Sequence, residues 1–106
     1  MIKLMLEYQA KDEKSAEQII EAIWGIRNDA MQQPGYITGE TLVNTDDPCN
    51  VLVISSWHSL EQWRAWHESE EQVKFAQRLD RLLAKPYTAR TYNYSLKREH
   101  RVWSTF

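Results

Sequence analysis

Residues 2–9 alternate: Ile2, Leu4, Leu6 and Tyr8 fall on one side, Lys3, Met5, Glu7 and Gln9 on the other. That two-residue period predicts a strand. The period then changes. From about 14 to 31 the apolar positions Ala16, Ile19, Ile23 and Ile26 recur at threes and fours, with Ile20, Trp24 and Ala30 widening the stripe. This is the pattern of a helix with one buried face. Ser15 and Gln18 have capping-box spacing, Asp12 competes as the N-cap, and Pro34-Gly35 ends the run.

Residues 36–44 read as a second strand, and Asp46, Asp47 and Pro48 make a turn after it. Residues 50–57 form a third strand. Its segment Val51-Leu52-Val53-Ile54 is apolar on both faces, as expected of a central strand. Ser59 with Gln62, and Ser69 with Gln72, repeat the capping-box spacing and predict helix starts at about 60 and 70. Phe75, Leu79 and Leu82 form the stripe of the later helix, which Pro86 closes, and residues 87–96 alternate again.

The predicted order is β-α-β-β-α-β, an α+β, ferredoxin-like arrangement with helices on one face of a four-stranded antiparallel sheet. One chain supplies helices for one face only, yet Val51 and Val53 on one side, and Leu52 and Ile54 on the other, both call for cover. A homodimer packed sheet to sheet is the economical expectation. Residues 1–95 make one domain. Residues 96–106 are a basic tail ending near Trp103 and Phe106, expected to dock on the partner subunit.

Composition narrows the picture. The length suits one domain, and three Gly and three Pro in 106 residues argue against a disordered chain. A net charge of −2 gives no electrostatic reason to expect nucleic acid. Cys49 is the single cysteine, so no disulfide forms within the chain. The opening residues lack the apolar core of a secretion signal, and no run reaches membrane-spanning length. The expectation is a cytoplasmic protein with no membrane partner.

Candidate chemistry gathers between 50 and 75, where a strand gives way to two helices. Trp57, Trp63 and Trp66 sit there with His58 and His67. Such a junction can build a pocket for a flat, apolar molecule. Trp63 and Trp66 share a helix face; the same rings serve equally as core. Trp66 offers a stacking surface or an N–H donor. His67 and His58 are the candidate proton acceptors, since imidazole titrates near neutrality. Tyr8 and Tyr92 fall on neighbouring strands and line the pocket if they face the helices, or an interface if they do not. Arg64 and Arg90 are candidates to orient an anion. No His/Cys cluster or H-E-x-x-H spacing suggests a metal. Glu68, Glu70 and Glu71 suit a helix start.

The element order, the start Pro34-Gly35-Tyr36 and the run VISSWHSLEQWRAWHESEE resemble the antibiotic biosynthesis monooxygenase family of the dimeric α+β barrel superfamily, over about residues 1–95. The resemblance implies a homodimer that holds a small hydrophobic or aromatic molecule, and oxygen chemistry without a cofactor. Trp57 matches the family's aromatic at the end of strand three, and Trp66 its helix residue nine positions on. In the haem-degrading branch an Asn and a His accompany that Trp; Tyr8 and Ala76 stand at those positions here, so two of three haem residues are absent. The resemblance therefore implies a cofactor-independent monooxygenase of a polyketide-like substrate, with a non-catalytic small-molecule or haem-binding dimer as the alternative.

Overall fold

A computed structural model of the chain describes residues 1–95; the predicted docking tail lies outside the described residues. The elements are β1 (Ile2–Gln9), α1 (Glu13–Ala30), β2 (Tyr36–Val43), β3 (Asn50–Trp57), α2 (Leu60–His67), α3 (Glu70–Leu79) and β4 (Thr88–Asn93), with a 3-10 turn at Asp80–Leu82. The sheet order is β2-β3-β1-β4, antiparallel throughout. This is the ferredoxin-like arrangement that the hydrophobic pattern predicts.

Register decides which residues meet. Leu4 lies opposite Ser55, Leu6 opposite Val53 and Tyr8 opposite Val51. Side chains alternate along strands, so these residues share the face beneath the helices. Lys3, Met5 and Glu7, paired with Ser56, Ile54 and Leu52, share the opposite face. Two hydrophobic clusters fill the covered side. One joins Tyr8, Ile19, Ile23, Val51, Phe75 and Leu79; the other joins Ile2, Leu4, Trp57, Trp63 and Trp66.

The helix starts follow their sequence signals. The Asp12 carboxylate accepts from the Ser15 N–H at 2.7 Å, so Asp12, not Ser15, caps α1, and Ser15 is buried inside it. The Ser59 and Ser69 hydroxyls accept from the Gln62 and Gln72 N–H groups at 3.1 and 3.3 Å, which starts α2 and α3.

Three expectations change. Trp24 does not widen the buried stripe of α1: it is 58% exposed, and the Arg27 guanidinium lies 5.0 Å from its ring centre. The last helix ends at Leu79 rather than near Pro86; the 3-10 turn tightens the chain and still buries Leu82. Finally, β4 is an edge strand exposed along its whole length and shorter than the alternation suggested. Among the described residues no helix is long and apolar enough to cross a membrane.

Candidate functional site

The two hydrophobic clusters do not close completely on each other. Between them lies a cavity, bounded by Leu6 and Val53 on the sheet, Ile23 and Ile26 on α1, and Trp66 and Phe75 on the other helices. Its volume is about 60 Å³. One water needs roughly 10–15 Å³ on that measure, so the space exceeds a single solvent site. Leu6 and Val53 are only half-buried for this reason.

Each candidate residue now has a place. Trp57, Trp63 and Trp66 all line the cavity and are all buried, at 1%, 8% and 7% exposure. The three rings are thus part of the core and of the cavity wall at once. The Trp57 indole N–H donates to the Ser55 hydroxyl at 3.2 Å, and the Tyr36 ring meets Trp57 edge-on at 5.4 Å. These two contacts fix the ring at the end of β3.

His67 also lines the cavity, next to Trp66. Its ring stacks on Trp63 at 4.6 Å and meets Tyr87 edge-on at 6.5 Å. Burial lowers its pKa below 6.5, against a weaker opposing pull from Glu68. The imidazole is thus neutral at pH 7 and able to take a proton. His58 is elsewhere: it is exposed at the turn before α2, and its backbone N–H donates to Gly35 O at 2.8 Å.

The two tyrosines part company. Tyr8 is 2% exposed under the helices, lines the cavity and stacks on Tyr87 at 5.4 Å. Burial, with a smaller contribution from Tyr87, raises its pKa far above the usual tyrosine range, so it remains a hydroxyl donor. Tyr92 pairs with Lys3 across β1 and β4, which sets it on the uncovered face, 48% exposed. It cannot line this cavity.

The cavity's cation is neither Arg64 nor Arg90, which are both exposed, but Arg27 of α1. Sequence reasoning passed over it, although a signal existed: Arg27 is a lone cation beside Ile26 and four residues after Ile23, inside the apolar stripe. Tyr36 stands out in the sequence only within the Pro34-Gly35-Tyr36 start of β2. The spacing after Ser69 makes Gln72 a capping residue; its backbone has that role, while its side chain is 6% exposed and lines the cavity. Among the described residues no group of three metal-ligating side chains forms. Cys49 is half-buried, and desolvation, with Asp47 adding to it, raises its thiol pKa.

Comparison with known proteins agrees with this architecture. Residues 1–78 match the family model described as "Antibiotic biosynthesis monooxygenase". The chain is 26% identical over 100 residues to Protein SchA of Streptomyces halstedii, matching across 92% of its own length and spanning about a quarter (25%) of that longer protein. A solved monooxygenase from the gene ActVA-Orf6 of Streptomyces coelicolor, in complex with the ligand nanaomycin D, superposes with a TM-score of 0.78 at 16% identity, covering 89% of this chain and 87% of that one. SnoaB of Streptomyces nogalater, a cofactor-independent oxygenase, superposes with a TM-score of 0.76 at 12% identity, covering 91% and 96%. At such identities these likenesses speak for the fold.

Proposed function

The chain belongs to the antibiotic biosynthesis monooxygenase family, and from that premise we propose that it oxidises a small, planar, polyketide-like aromatic molecule with O₂ and without a tightly held cofactor. The observation that carries this reading is the cavity itself. Its walls are indole and phenyl rings, and a neutral imidazole, His67, borders it.

The chemistry suits a carbon acid such as an anthrone. His67 takes a proton from the ring CH₂ group, leaving an electron-rich carbanion. The carbanion gives electrons to O₂, and a new C–O bond forms a peroxide anion. The imidazolium returns its proton to that oxygen. The hydroperoxide then loses water as its O–O bond breaks, leaving a ketone. Overall CH₂ and O₂ become C=O and H₂O. The protein's share is a dry, shaped space, a base, and the Tyr8 hydroxyl and Trp66 N–H as donors toward developing negative oxygen.

Haem suits these residues poorly. Ala76, where the haem-degrading pattern has His, offers no ligand atom, and it lies on α3 facing an outer groove rather than the cavity.

The active form we propose is a homodimer joined through the uncovered sheet faces. Met5, Leu52 and Ile54 are half-buried there, and Leu42 is 42% exposed. A contiguous apolar patch of this kind is unusual on a lone chain.

The second reading, a dimer that binds a small molecule without transforming it, draws on the tightness of the cavity and the burial of all three indoles. Oxygen uptake separates the two. With an anthrone as substrate, one O₂ should be consumed per ketone formed, and His67→Gln should slow turnover by roughly 100-fold to 10,000-fold. Binding without oxygen uptake would move the assignment to the second reading.

A further inference from the structure

The cavity's side over β2, across β3 from the His67–Tyr87–Tyr8 contacts over β1, is polar, and its parts are held in place. Arg27 is half-buried and spans from α1 to β2, where its Nη2 donates to the Thr41 hydroxyl. Its other restraint is the Trp24 ring, 5.0 Å away. The ion pair found among the described residues is Lys74–Glu70 on α3, so no carboxylate within 4.0 Å neutralises Arg27 there.

Tyr36 joins it through a β-bulge. Tyr36 pairs with Trp57, while Thr38 pairs with Ser56 and Gly39 with Ser55. The extra residue puts Tyr36 and Gly39, three apart, on the same covered face. There the Tyr36 hydroxyl presses on Gly39. A Cβ on Gly39 would collide with that hydroxyl and come within 3.5 Å of Arg27 Nε. Arg27, Tyr36 and Gly39 all line the cavity. Beyond the far end, past His67, an outer groove carries Glu68 and Asp80.

A positive charge at one end and carboxylates beyond the other give the cavity a direction. We propose that Arg27, the Tyr36 hydroxyl and the bare backbone of Gly39 form an anion-binding notch that takes the phenolate oxygen of a planar aromatic ligand. Two kinds of donor converge on one small space, which suits a single oxygen. Thr41 already occupies one side of the guanidinium, so the two-oxygen grip that Arg gives a carboxylate is incomplete. The notch rests on the cavity's being an aromatic site, but it does not require oxygen chemistry. It turns the phenolate end toward Arg27 and leaves the far end of the ring system near His67.

The test uses 4-nitrophenol, whose yellow phenolate reports its own ionisation, and 4-nitroanisole as its uncharged relative. An unneutralised cation nearby should lower the pKa of bound nitrophenol by about one unit or more. Arg27→Met should restore the free value while nitroanisole still binds. Arg27→Lys should retain part of the shift, and Tyr36→Phe should lose part of it, which keeps the test open if Arg27→Met fails to fold. An unshifted pKa in the wild type, an equal shift in Arg27→Met, or no binding of either probe would overturn the notch. A shift that persists in protein inactive on an anthrone supports the notch and counts against the oxygenase reading alone.

Discussion

Leu4 is fully buried, while Met5, the next residue of β1, is only half-buried. One faces the helices; the other faces no element among the described residues. The two sides of the sheet differ in the same way throughout. The covered side is filled by two hydrophobic clusters that stop short of each other, and the cavity is the gap between them. The uncovered side is divided. Its apolar part is Met5, Leu42, Leu52 and Ile54, and its polar part is a network in which the Asn50 amide donates to Glu7 at 2.9 Å and Gln9 donates to Asp47 at 2.9 Å. The first side is closed except at the cavity; the second carries apolar side chains that no element among the described residues covers.

The largest expected effect sharpens that contrast. Leu4→Ala should cost about 3 kcal/mol of stability, because the lost side chain leaves a cavity in a packed interior. The loss should be the same at any protein concentration. Met5→Ala should cost less, by an amount that depends on concentration if the uncovered faces pair. Thermal melts at two concentrations give both answers. Next comes Ile54→Lys, which puts a charge in the middle of the apolar patch. Sedimentation should show the wild type at twice the chain mass and this variant at the chain mass. Equal masses for the two would end the paired-sheet proposal.

The two histidines make a smaller comparison within the covered side. His67 is partly desolvated against Trp63 and Tyr87, which lowers its pKa; His58 has no place at the cavity. The sign follows directly. As pH falls below the ordinary value of about 6.5, the unfolded chain takes up a proton at position 67 before the folded one does. His67 thus contributes stability above that pH, and the contribution is lost as the medium turns acid through the folded pKa. His67→Gln should flatten part of the acid decline in Tm. The kcat/KM profile of the wild type should rise with pH along a limb below 6.5.

Much of this was legible because local signals and burial pointed the same way. The β1 alternation, the stripe of α1 and the serines before α2 and α3 each had one dominant reading, and the element order followed. The cavity's aromatic wall was legible too, since Trp57, Trp63 and Trp66 cluster in sequence. Its polar end was not. Tyr36 and Gly39 sit three apart, which in a regular strand sends them to opposite faces, and only the bulge brings them together. Tyr92 illustrates the converse: alternation identified its strand, but the register with Lys3 assigned its face. Trp24 failed because helical spacing gives a stripe its centre more reliably than its edges.

The smallest expected effect concerns how α2 is aimed. The Ser59 hydroxyl accepts from the Gln62 N–H at 3.1 Å and donates to the Gln62 side chain at 3.1 Å. Gln62 in turn packs on Gly35, whose φ of 91° places it in the left-handed region and whose lack of a Cβ makes the room. One short chain of contacts thus ties the end of β3, the entry to β2 and the first turn of α2. Ser59→Ala removes the cap and should cost about 1 kcal/mol. Ser69→Ala should cost about the same at the start of α3. Their effects on the cavity should differ. Only α2 carries Trp63, Trp66 and His67, so Ser59→Ala should weaken 4-nitroanisole binding more than Ser69→Ala at equal loss of Tm. Equal weakening would mean that the cavity follows global stability rather than the aim of α2.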